Sequence, residues 1–276
     1  MNTVRLASGQ DMPRLGLGTW RLSGRDCETA VRLALDMGYR HIDTAEMYGN
    51  HREIAEGIAA SGVSRSEIFL TTKVWSSSLR RHEVFESFDR DLTELNTDYV
   101  DLLLIHWPDS SVPLAETLGA FDELVDRGRV RNIGVSNFPS SLLEEAVGAA
   151  KHPIAANQVE CHPFLNQTKL LGTCRRQGVI LTAYSPLARG RALDDGTLSS
   201  IAENHGKSPA QAALRWQIQR GVTVIPKASS WEHLRANMDV FDWSLRDDEM
   251  ETITAIEKSR HTRIIDSGSV DFSEDE

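Results

Sequence analysis

Short apolar runs rich in β-branched residues alternate along the chain with longer amphipathic segments. In the longer segments apolar side chains recur at i, i+3, i+4 and i+7, as in Ala30, Leu33, Ala34 and Met37, which predicts helices with one buried face. This alternation predicts an α/β fold. The short runs predict eight strands, at residues 14–20, 41–44, 68–75, 100–107, 131–137, 155–161, 179–184 and 222–227.

Eight strand-then-helix units in about 250 residues are typical of a (β/α)8 barrel. A doubly wound sheet usually has fewer units and a glycine-rich fingerprint after its first strand, whereas here Gly16-x-Gly18-x-x-Arg21 lacks the third glycine. A hairpin around residues 8–11 is expected to cap the bottom of the barrel. The sequence therefore predicts a single TIM barrel domain over residues 1–276, with an N-terminal β-hairpin and an extra C-terminal helix at 247–258. The acidic tail at 267–276 is expected to be mobile, apart from any part that reaches the site.

Composition narrows the functional classes. Lys and Arg number 30 against 40 Asp and Glu, and the net charge of −10 argues against a nucleic-acid partner, which needs a net positive face. The longest apolar run, at 100–107, falls far short of the roughly 20 residues that cross a membrane. The first residues lack the pattern of a signal peptide, and the three cysteines show no C-x-x-C spacing. We expect a cytoplasmic protein without nucleic-acid or membrane partners.

Polar side chains at the ends of consecutive strands suggest catalysis, because barrel chemistry lies at the carboxyl ends of the strands. Asp43 ends the second strand and is followed by Tyr48, while Lys73 and His106 end the third and fourth. A phenol with a pKa near 10 is a poor acid at neutral pH, but a nearby Lys73 ammonium would lower that pKa. Asp43 would keep the buried ammonium charged, and His106 could orient a substrate carbonyl toward the phenol.

Each of these four residues alone also has a purely structural interpretation. Lys73 could lie on a solvated rim, His106 could be a satisfied imidazole, Asp43 could cap a helix and Tyr48 could be packing. Four titratable types with complementary roles at equivalent strand ends favour a functional set. No His spacing typical of a metal site occurs, so we predict no metal.

Several motifs then match one known family in order along residues 15–237. The sequence resembles the aldo-keto reductase superfamily, and within it the bacterial branch that includes the 2,5-diketo-gluconate reductases. The motifs are Leu15-Gly-Leu-Gly-Thr-Trp20, Gly38-Tyr-Arg-His-Ile-Asp-Thr-Ala45 with Tyr48, Thr72-Lys73, Leu104-Ile-His-Trp-Pro108, Ile133-Gly-Val-Ser-Asn-Phe138, Asn157-Gln158 and Ile225-Pro-Lys227.

The resemblance implies a monomeric barrel that reduces small-molecule aldehydes and ketones with an extended nicotinamide cofactor at its mouth. Tyr48 would be the general acid, assisted by Lys73 and Asp43, and His106 would orient the substrate. Ser136, Asn137 and Gln158 would hydrogen-bond the carboxamide, Tyr184 would stack on the nicotinamide, and Ser185 and Leu187 would contact the pyrophosphate. Further cofactor contacts are expected from Gly18, Thr19, Trp20, Asp43, Lys227, Ser229, His233 and Asn237. The substrate pocket is expected to be lined by Trp20, Met47, Trp75, His106 and Trp107, which suits an apolar or aromatic aldehyde.

The residues expected to bind the adenosine end of the cofactor also form a pattern that suits a phosphate. Lys227 precedes a helix predicted to begin near residue 230, and residues 229–232 have the capping-box pattern, so a lysine and free N–H groups could bind a phosphate together. Relatives that prefer NADPH commonly carry Arg where His233 stands, and often Glu where Ala236 stands. We therefore expect NADPH as the cofactor, with weaker discrimination against NADH than is typical.

Two alternatives remain open. One is a cofactor-binding but catalytically silent regulatory subunit, like the potassium-channel β subunits of the same superfamily; the complete catalytic set and the absence of an N-terminal extension disfavour it. The other is an unrelated barrel enzyme, such as a sugar-phosphate isomerase or metal hydrolase, for which the sequence offers neither a ligand cluster nor an obvious Glu base.

Overall fold

Eight parallel strands form the central sheet in the computed structural model, which describes residues 2–266, 268 and 270–275. The sheet follows chain order from first strand to last, so each strand pairs with its sequence neighbour. The (β/α)8 prediction is confirmed. The hairpin strands are β1 (Thr3–Arg5) and β2 (Asp11–Pro13), and the barrel strands are β3 (Leu17–Gly18), β4 (His41–Asp43), β5 (Phe69–Val74), β6 (Leu102–Ile105), β7 (Ile133–Ser136), β8 (Ile154–Glu160), β9 (Ile180–Tyr184) and β10 (Thr223–Val224).

The seam between the first and last barrel strands is short, although longer strands are predicted there. A parallel bridge joins Leu15 to Val224, and Gly18 N donates to Pro226 O at 3.2 Å, which closes the barrel. A Cβ on Gly18 would lie 2.5 Å from the carbonyl oxygen of Ile225, so only glycine permits this approach. Pro226 offers no N–H and limits further pairing.

Helices pack around the barrel with their apolar faces inward and form the main core with it. Two helices, α7 and α8, stand between β9 and β10, where the eightfold pattern predicts one. The helices are α1 (Gly24–Asp36), α2 (His51–Ser61), α3 (Arg81–Glu94), α4 (Leu114–Asp126), α5 (Ser140–Ala149), α6 (Thr168–Gln177), α7 (Gly196–Glu203), α8 (Pro209–Gln219), α9 (Trp231–Met238) and α10 (Asp247–Arg260).

The two additions to the barrel come from opposite ends of the chain. Leu6 and Met12 of the hairpin region are buried with Phe69, Leu102 and other residues of a separate cluster, so the hairpin caps the bottom as predicted. At the other terminus α10 matches the predicted extra helix.

The segment after α10 is docked on the barrel, and the prediction of a mobile tail is wrong for its described residues. Asp275 accepts hydrogen bonds from the backbone N (2.8 Å) and hydroxyl (2.5 Å) of Ser140, and Glu274 accepts from Ser141 N at 2.9 Å. Phe272 is buried. These carboxylates satisfy free N–H groups at the positive end of α5, which explains the docking. Residues 267, 269 and 276 of the predicted tail lie outside the described residues.

Two properties of the described residues bear on other functions. None of the helices there is both long and apolar enough to span a bilayer. Nor does that part of the chain contain a group of three or more His, Cys, Asp or Glu side chains placed to hold a metal ion.

Candidate active site

Lys73 lies at the centre of a buried polar cluster at the carboxyl ends of β4 and β5. Its Nζ is 2.6 Å from Asp43 Oδ1, 2.8 Å from the carbonyl oxygen of Thr44 and 3.4 Å from the hydroxyl of Tyr48. An ammonium carries three N–H donors and no acceptor, and three acceptors surround this nitrogen. The structure therefore brings Asp43, Lys73 and Tyr48 within mutual reach, as the sequence predicts.

Asp43 has a second partner on the far side of its carboxylate. Gln158 Nε2 donates to Asp43 Oδ2 at 2.6 Å, so β8 and β5 both supply donors to this β4 carboxylate. Asp43 is 1% exposed and Lys73 is fully buried. A buried charge is tolerated only when it is paired and hydrogen-bonded, and here both partners meet that condition.

The pKa directions differ from one sequence-based expectation. Burial lowers the pKa of the Lys73 ammonium, and the adjacent Asp43 carboxylate opposes that shift. The phenol pKa of the half-buried Tyr48 is raised well above its ordinary value, first by burial of the hydroxyl and then by the negative charge of Asp43. The expectation of a lowered Tyr48 pKa is wrong, because burial of the hydroxyl and the negative charge of Asp43 both disfavour the phenolate.

His106 faces Tyr48 from the end of β6. Their ring centroids are 5.7 Å apart, and the indole of Trp75 packs edge-on against the imidazole at 5.0 Å. The pKa of His106 is lowered well below its ordinary value, first by burial and then by the Lys73 charge. Its Nδ1 is buried and has no hydrogen-bond partner among the described residues. A buried lone pair without a partner is less costly than a buried N–H, so we expect the proton of this neutral imidazole on Nε2.

The residues expected to contact a carboxamide form one network beside this cluster. Ser136 donates to the backbone oxygen of Gln158 at 2.7 Å, and the Asn137 amide donates to the backbone oxygen of His106 at 2.9 Å. Tyr184 donates its hydroxyl proton to Asn137 Oδ1 at 2.8 Å. Asn137 also has a φ of +63°, a left-handed conformation at the end of β7. The side chains of β7, β8 and β9 are thereby held at one edge of the mouth.

The loop after β9 and the start of α9 bear the residues assigned to the rest of a cofactor. Ser185 has a φ of +47° and lies partly exposed with Leu187. Lys227, Ser229 and His233 are exposed, and Asn237 is buried on α9. The predicted capping box at residues 229–232 is wrong, because the N-cap lies one residue later, at Ser230. The Ser230 hydroxyl accepts from His233 N at 3.2 Å, and His233 takes the place where a capping box has Glu or Gln. This shift leaves Ser229 outside the helix, where its hydroxyl is exposed.

Aromatic and apolar side chains surround the mouth near Tyr48. Trp20 lies 4.9 Å from the Tyr48 ring and is 36% exposed, and Met47 is 41% exposed. Trp107 is buried beside His106 at the end of β6. Gly18 and Thr19 end the first strand, where the Thr19 hydroxyl donates to the backbone oxygen of Asp43 at 2.9 Å. Thr19 is fully buried, and this hydrogen bond helps to fix the backbone at Asp43.

Two glutamates at the mouth, the half-buried Glu46 and the buried Glu160, were not predicted from the sequence. Glu46 Oε2 accepts from Trp75 N at 3.1 Å and so ties the Tyr48 turn to the end of β5. Glu160 is fully buried and accepts from Ile264 N and Ile265 N at 2.7 Å each, as well as from His162 at 2.8 Å. It fastens the C-terminal segment to the end of β8. A carboxylate inside an apolar strand is the one sequence signal that marks Glu160.

Comparisons with known proteins agree with this geometry. The model of the Aldo/keto reductase family matches residues 14–258. The chain is 42% identical to glyoxal reductase of Bacillus subtilis over 258 residues, which are 93% of each protein. It is 40% identical to 9,11-endoperoxide prostaglandin H2 reductase of Trypanosoma cruzi, over 94% of this chain and 93% of that protein. A solved structure assigned as a 2,5-diketo-D-gluconic acid reductase B superposes with a TM-score of 0.94 at 42% identity, over 98% of this chain and 96% of the other.

Proposed function

Since the chain belongs to the aldo/keto reductase family of oxidoreductases, we propose that it reduces aldehydes and ketones to alcohols with NADPH, using Tyr48 as the general acid. The observation that carries this proposal is the Lys73 nitrogen held between the Asp43 carboxylate and the Tyr48 hydroxyl. The substrate is a small-molecule carbonyl compound, and the enzyme is proposed to act as a cytoplasmic monomer.

The raised pKa of Tyr48 means that the phenol holds its proton at neutral pH but is a weak acid, so proton donation depends on stabilisation of the phenolate that forms. As the proton leaves, negative charge develops on the phenolic oxygen, 3.4 Å from the Lys73 nitrogen. A fixed positive group acts most strongly in a buried site, where it requires no reorganisation. Lys73 thus stabilises the phenolate that forms during the reaction, and Asp43 holds Lys73 in place. The role of Lys73 lies in the transition state and not in ionising the resting phenol.

His106 fits the role of an orienting donor and not that of the acid. Its lowered pKa keeps the imidazole neutral at physiological pH, so it has no easily released proton. With its proton on Nε2, it can donate a hydrogen bond to the substrate carbonyl oxygen. Trp20 packs beside Tyr48 and Trp75 packs beside His106. Their apolar surfaces favour a substrate with an apolar or aromatic body.

The donors at the mouth fit a nicotinamide cofactor. When bound, the reduced nicotinamide supplies the hydride that adds to the carbonyl carbon. Gln158 uses its Nε2 to donate to Asp43, so its Oε1 can accept from a carboxamide N–H. Ser136 and Asn137 would hold the same carboxamide, and Tyr184 would stack on the ring. The remaining cofactor positions are those proposed from the sequence: Gly18, Thr19, Trp20, Ser185, Leu187, Lys227, Ser229, His233 and Asn237.

NADPH is the proposed cofactor because Lys227 lies just before the N-terminus of α9 with its side chain exposed. A 2′-phosphate there would meet one lysine and no guanidinium, since position 233 is His. Discrimination against NADH should therefore be modest. A preference for NADPH beyond about 10³-fold in kcat/KM, or more than about 4 kcal/mol, would contradict this reading. His233→Arg should increase the preference for NADPH.

A cofactor-consumption assay tests the proposed function directly. Aromatic and aliphatic aldehydes, ketones and keto-sugars are each incubated with NADPH or NADH, and loss of reduced cofactor is matched to the alcohol formed. Stoichiometric alcohol from at least one carbonyl class is the expected result. Tight NADPH binding without turnover of any carbonyl class would instead favour the catalytically silent regulatory subunit.

A further inference from the structure

Three buried polar side chains behind the catalytic cluster form a closed ring of contacts. His51 Nδ1 lies 3.3 Å from Asp91 Oδ1, His51 Nε2 lies 3.2 Å from Thr72 Oγ1, and Thr72 Oγ1 donates to Asp91 Oδ2 at 3.3 Å. Thr72 is fully buried, and His51 and Asp91 are 2% and 3% exposed. We call these three residues the turn anchor. None of them belongs to the proposed catalytic set.

The turn anchor joins the elements that carry the two central catalytic groups. His51 is the first residue of α2 and follows Tyr48 by three positions, whereas Thr72 precedes Lys73 on β5. Successive side chains of a strand point to opposite faces, so Lys73 points into the barrel while Thr72 points out to α2 and α3. Asp91 reaches the pair from α3. The anchor therefore connects the Tyr48 turn to the Lys73 strand from outside the barrel.

Each side chain of the ring contacts both of the others. Thr72 has one hydroxyl proton, which it donates to Asp91, so its oxygen can accept from His51 Nε2. The contact of His51 Nδ1 with the Asp91 carboxyl completes the ring. Burial raises the pKa of Asp91 and His51 opposes that shift, so the two groups depend on each other.

The other side of the turn has its own tie. Glu46, the first residue of the short helix Glu46–Tyr48, accepts from Trp75 N just after β5. Tyr48 thus lies between a contact at Glu46 and contacts at Asn50 and His51. Asn50 is fully buried; it accepts from the Thr44 hydroxyl at 3.0 Å and donates to the backbone oxygens of Thr19 and Leu22. Asn50 and Glu46 do not join the turn to Thr72, the neighbour of Lys73, whereas His51 does. Loss of the His51 contact therefore removes the side-chain link through Thr72, which bears on the distance of 3.4 Å between the phenolic oxygen and Lys73 Nζ.

We propose that His51 and Asp91 are positioning residues that, with Thr72, set the distance between Tyr48 and Lys73 and thereby the rate of proton donation. This inference rests on the proposed role of Tyr48 as the acid. It concerns kcat specifically, because none of the three side chains contacts the open mouth. Misplacement of a reacting group by about 1 Å can slow a reaction by roughly 10²-fold, so a partial loosening should be measurable.

Two variants of Asp91 separate positioning from simple packing. Asp91→Ala opens the ring, and kcat per NADPH-binding site should fall about 10-fold or more while the carbonyl KM and NADPH Kd change little. In Asp91→Asn the amide can donate to His51 Nδ1 and accept from Thr72, so the ring closes again. This conservative variant should keep kcat within about 2-fold of the parent. Binding sites are counted by fluorescence titration with NADPH, which removes any unfolded fraction from the comparison.

A matched control breaks a similar pair far from the mouth. His205 contacts Glu249 at 2.7 Å between the end of α7 and α10, and His205→Ala should lower Tm without lowering kcat per site. Equal kcat losses in Asp91→Ala and His205→Ala at equal Tm losses would overturn the proposal, as would a normal kcat in Asp91→Ala. Tyr48→Phe is measured alongside. If Tyr48→Phe is inactive while Asp91→Ala is normal, only the turn anchor fails; if Tyr48→Phe retains turnover, the proposed acid and the anchor fail together.

Discussion

Replacing Lys73 with Met separates the contribution of the buried ion pair to stability from its contribution to catalysis. Met has a similar length but no charge, so the substitution leaves the Asp43 carboxylate with Gln158 as its remaining side-chain donor. Both members of the pair are at most 1% exposed, so solvent cannot screen the orphaned charge. Breaking such a pair costs about 3–5 kcal/mol. At about 2–4 °C per kcal/mol for a protein of this size, Tm should fall by roughly 6–20 °C.

Adding Asp43→Asn to Lys73→Met removes the orphaned charge. An Asn at 43 can still accept from Gln158, and the double variant should recover about 2 kcal/mol or more of the lost stability. Carbonyl reduction should not recover, since no cation remains beside Tyr48. We expect kcat at least about 10²-fold below the parent in both variants. Tm is followed by thermal melts, and kcat by loss of reduced cofactor normalised to NADPH-binding sites.

The outcome that would refute this reasoning is a joint recovery. If kcat rises with Tm in the double variant, Lys73 serves the fold alone, and no cation is needed beside the phenol. If the single and double variants are equally stable, the Asp43 carboxylate is not isolated by the loss of Lys73, and the assumed burial penalty is wrong.

Three further predictions concern the frame of the site and its pH response. Gly18→Ala places a Cβ 2.5 Å from the carbonyl oxygen of Ile225 and should cost about 1–3 kcal/mol, whereas Gly148→Ala, in open space on α5, should be neutral or stabilising in the same melt. Glu160→Gln places an amide NH2 against one of the two backbone N–H groups, of Ile264 or Ile265, and should cost about 1–3 kcal/mol, with faster hydrogen exchange in residues 262–266. Unchanged exchange would contradict the fastening role. Because the pKa of the Tyr48 phenol is raised, loss of its proton should not reduce kcat between about pH 7 and pH 9, and an alkaline decline in that range that Tyr48→Phe abolishes would contradict the raised pKa.

The fold was predictable because the same strand-then-helix pattern repeats along the sequence. Each strand is a short apolar run followed by an amphipathic helix, and eight such units leave few architectures other than a barrel. The same register places Asp43, Lys73 and His106 at equivalent strand ends, so their convergence follows from topology alone. Strand lengths at the seam were less predictable, because the close approach at Gly18 and the lack of an N–H at Pro226 are set by tertiary contacts.

Features that depend on long-range pairing could not be read from the chain. The C-terminal segment is polar and acidic, and only the distant N–H groups of Ser140 and Ser141 make it a docked element. Glu160 resembles any strand residue until Ile264 and Ile265 are placed beside it. The raised pKa of Tyr48 likewise depends on the burial of its hydroxyl and on the nearby Asp43 charge, which no spacing reveals.

The most direct measurement is the rate of carbonyl reduction by Tyr48→Phe under saturating NADPH in a single turnover. This variant removes one oxygen atom and leaves the ring between Trp20 and His106. The account predicts an NADPH Kd close to that of the parent and a reduction rate lower by roughly 10² or more. A rate equal to that of the parent would show that the proton comes from another group, and the account of Tyr48 as the acid would be wrong.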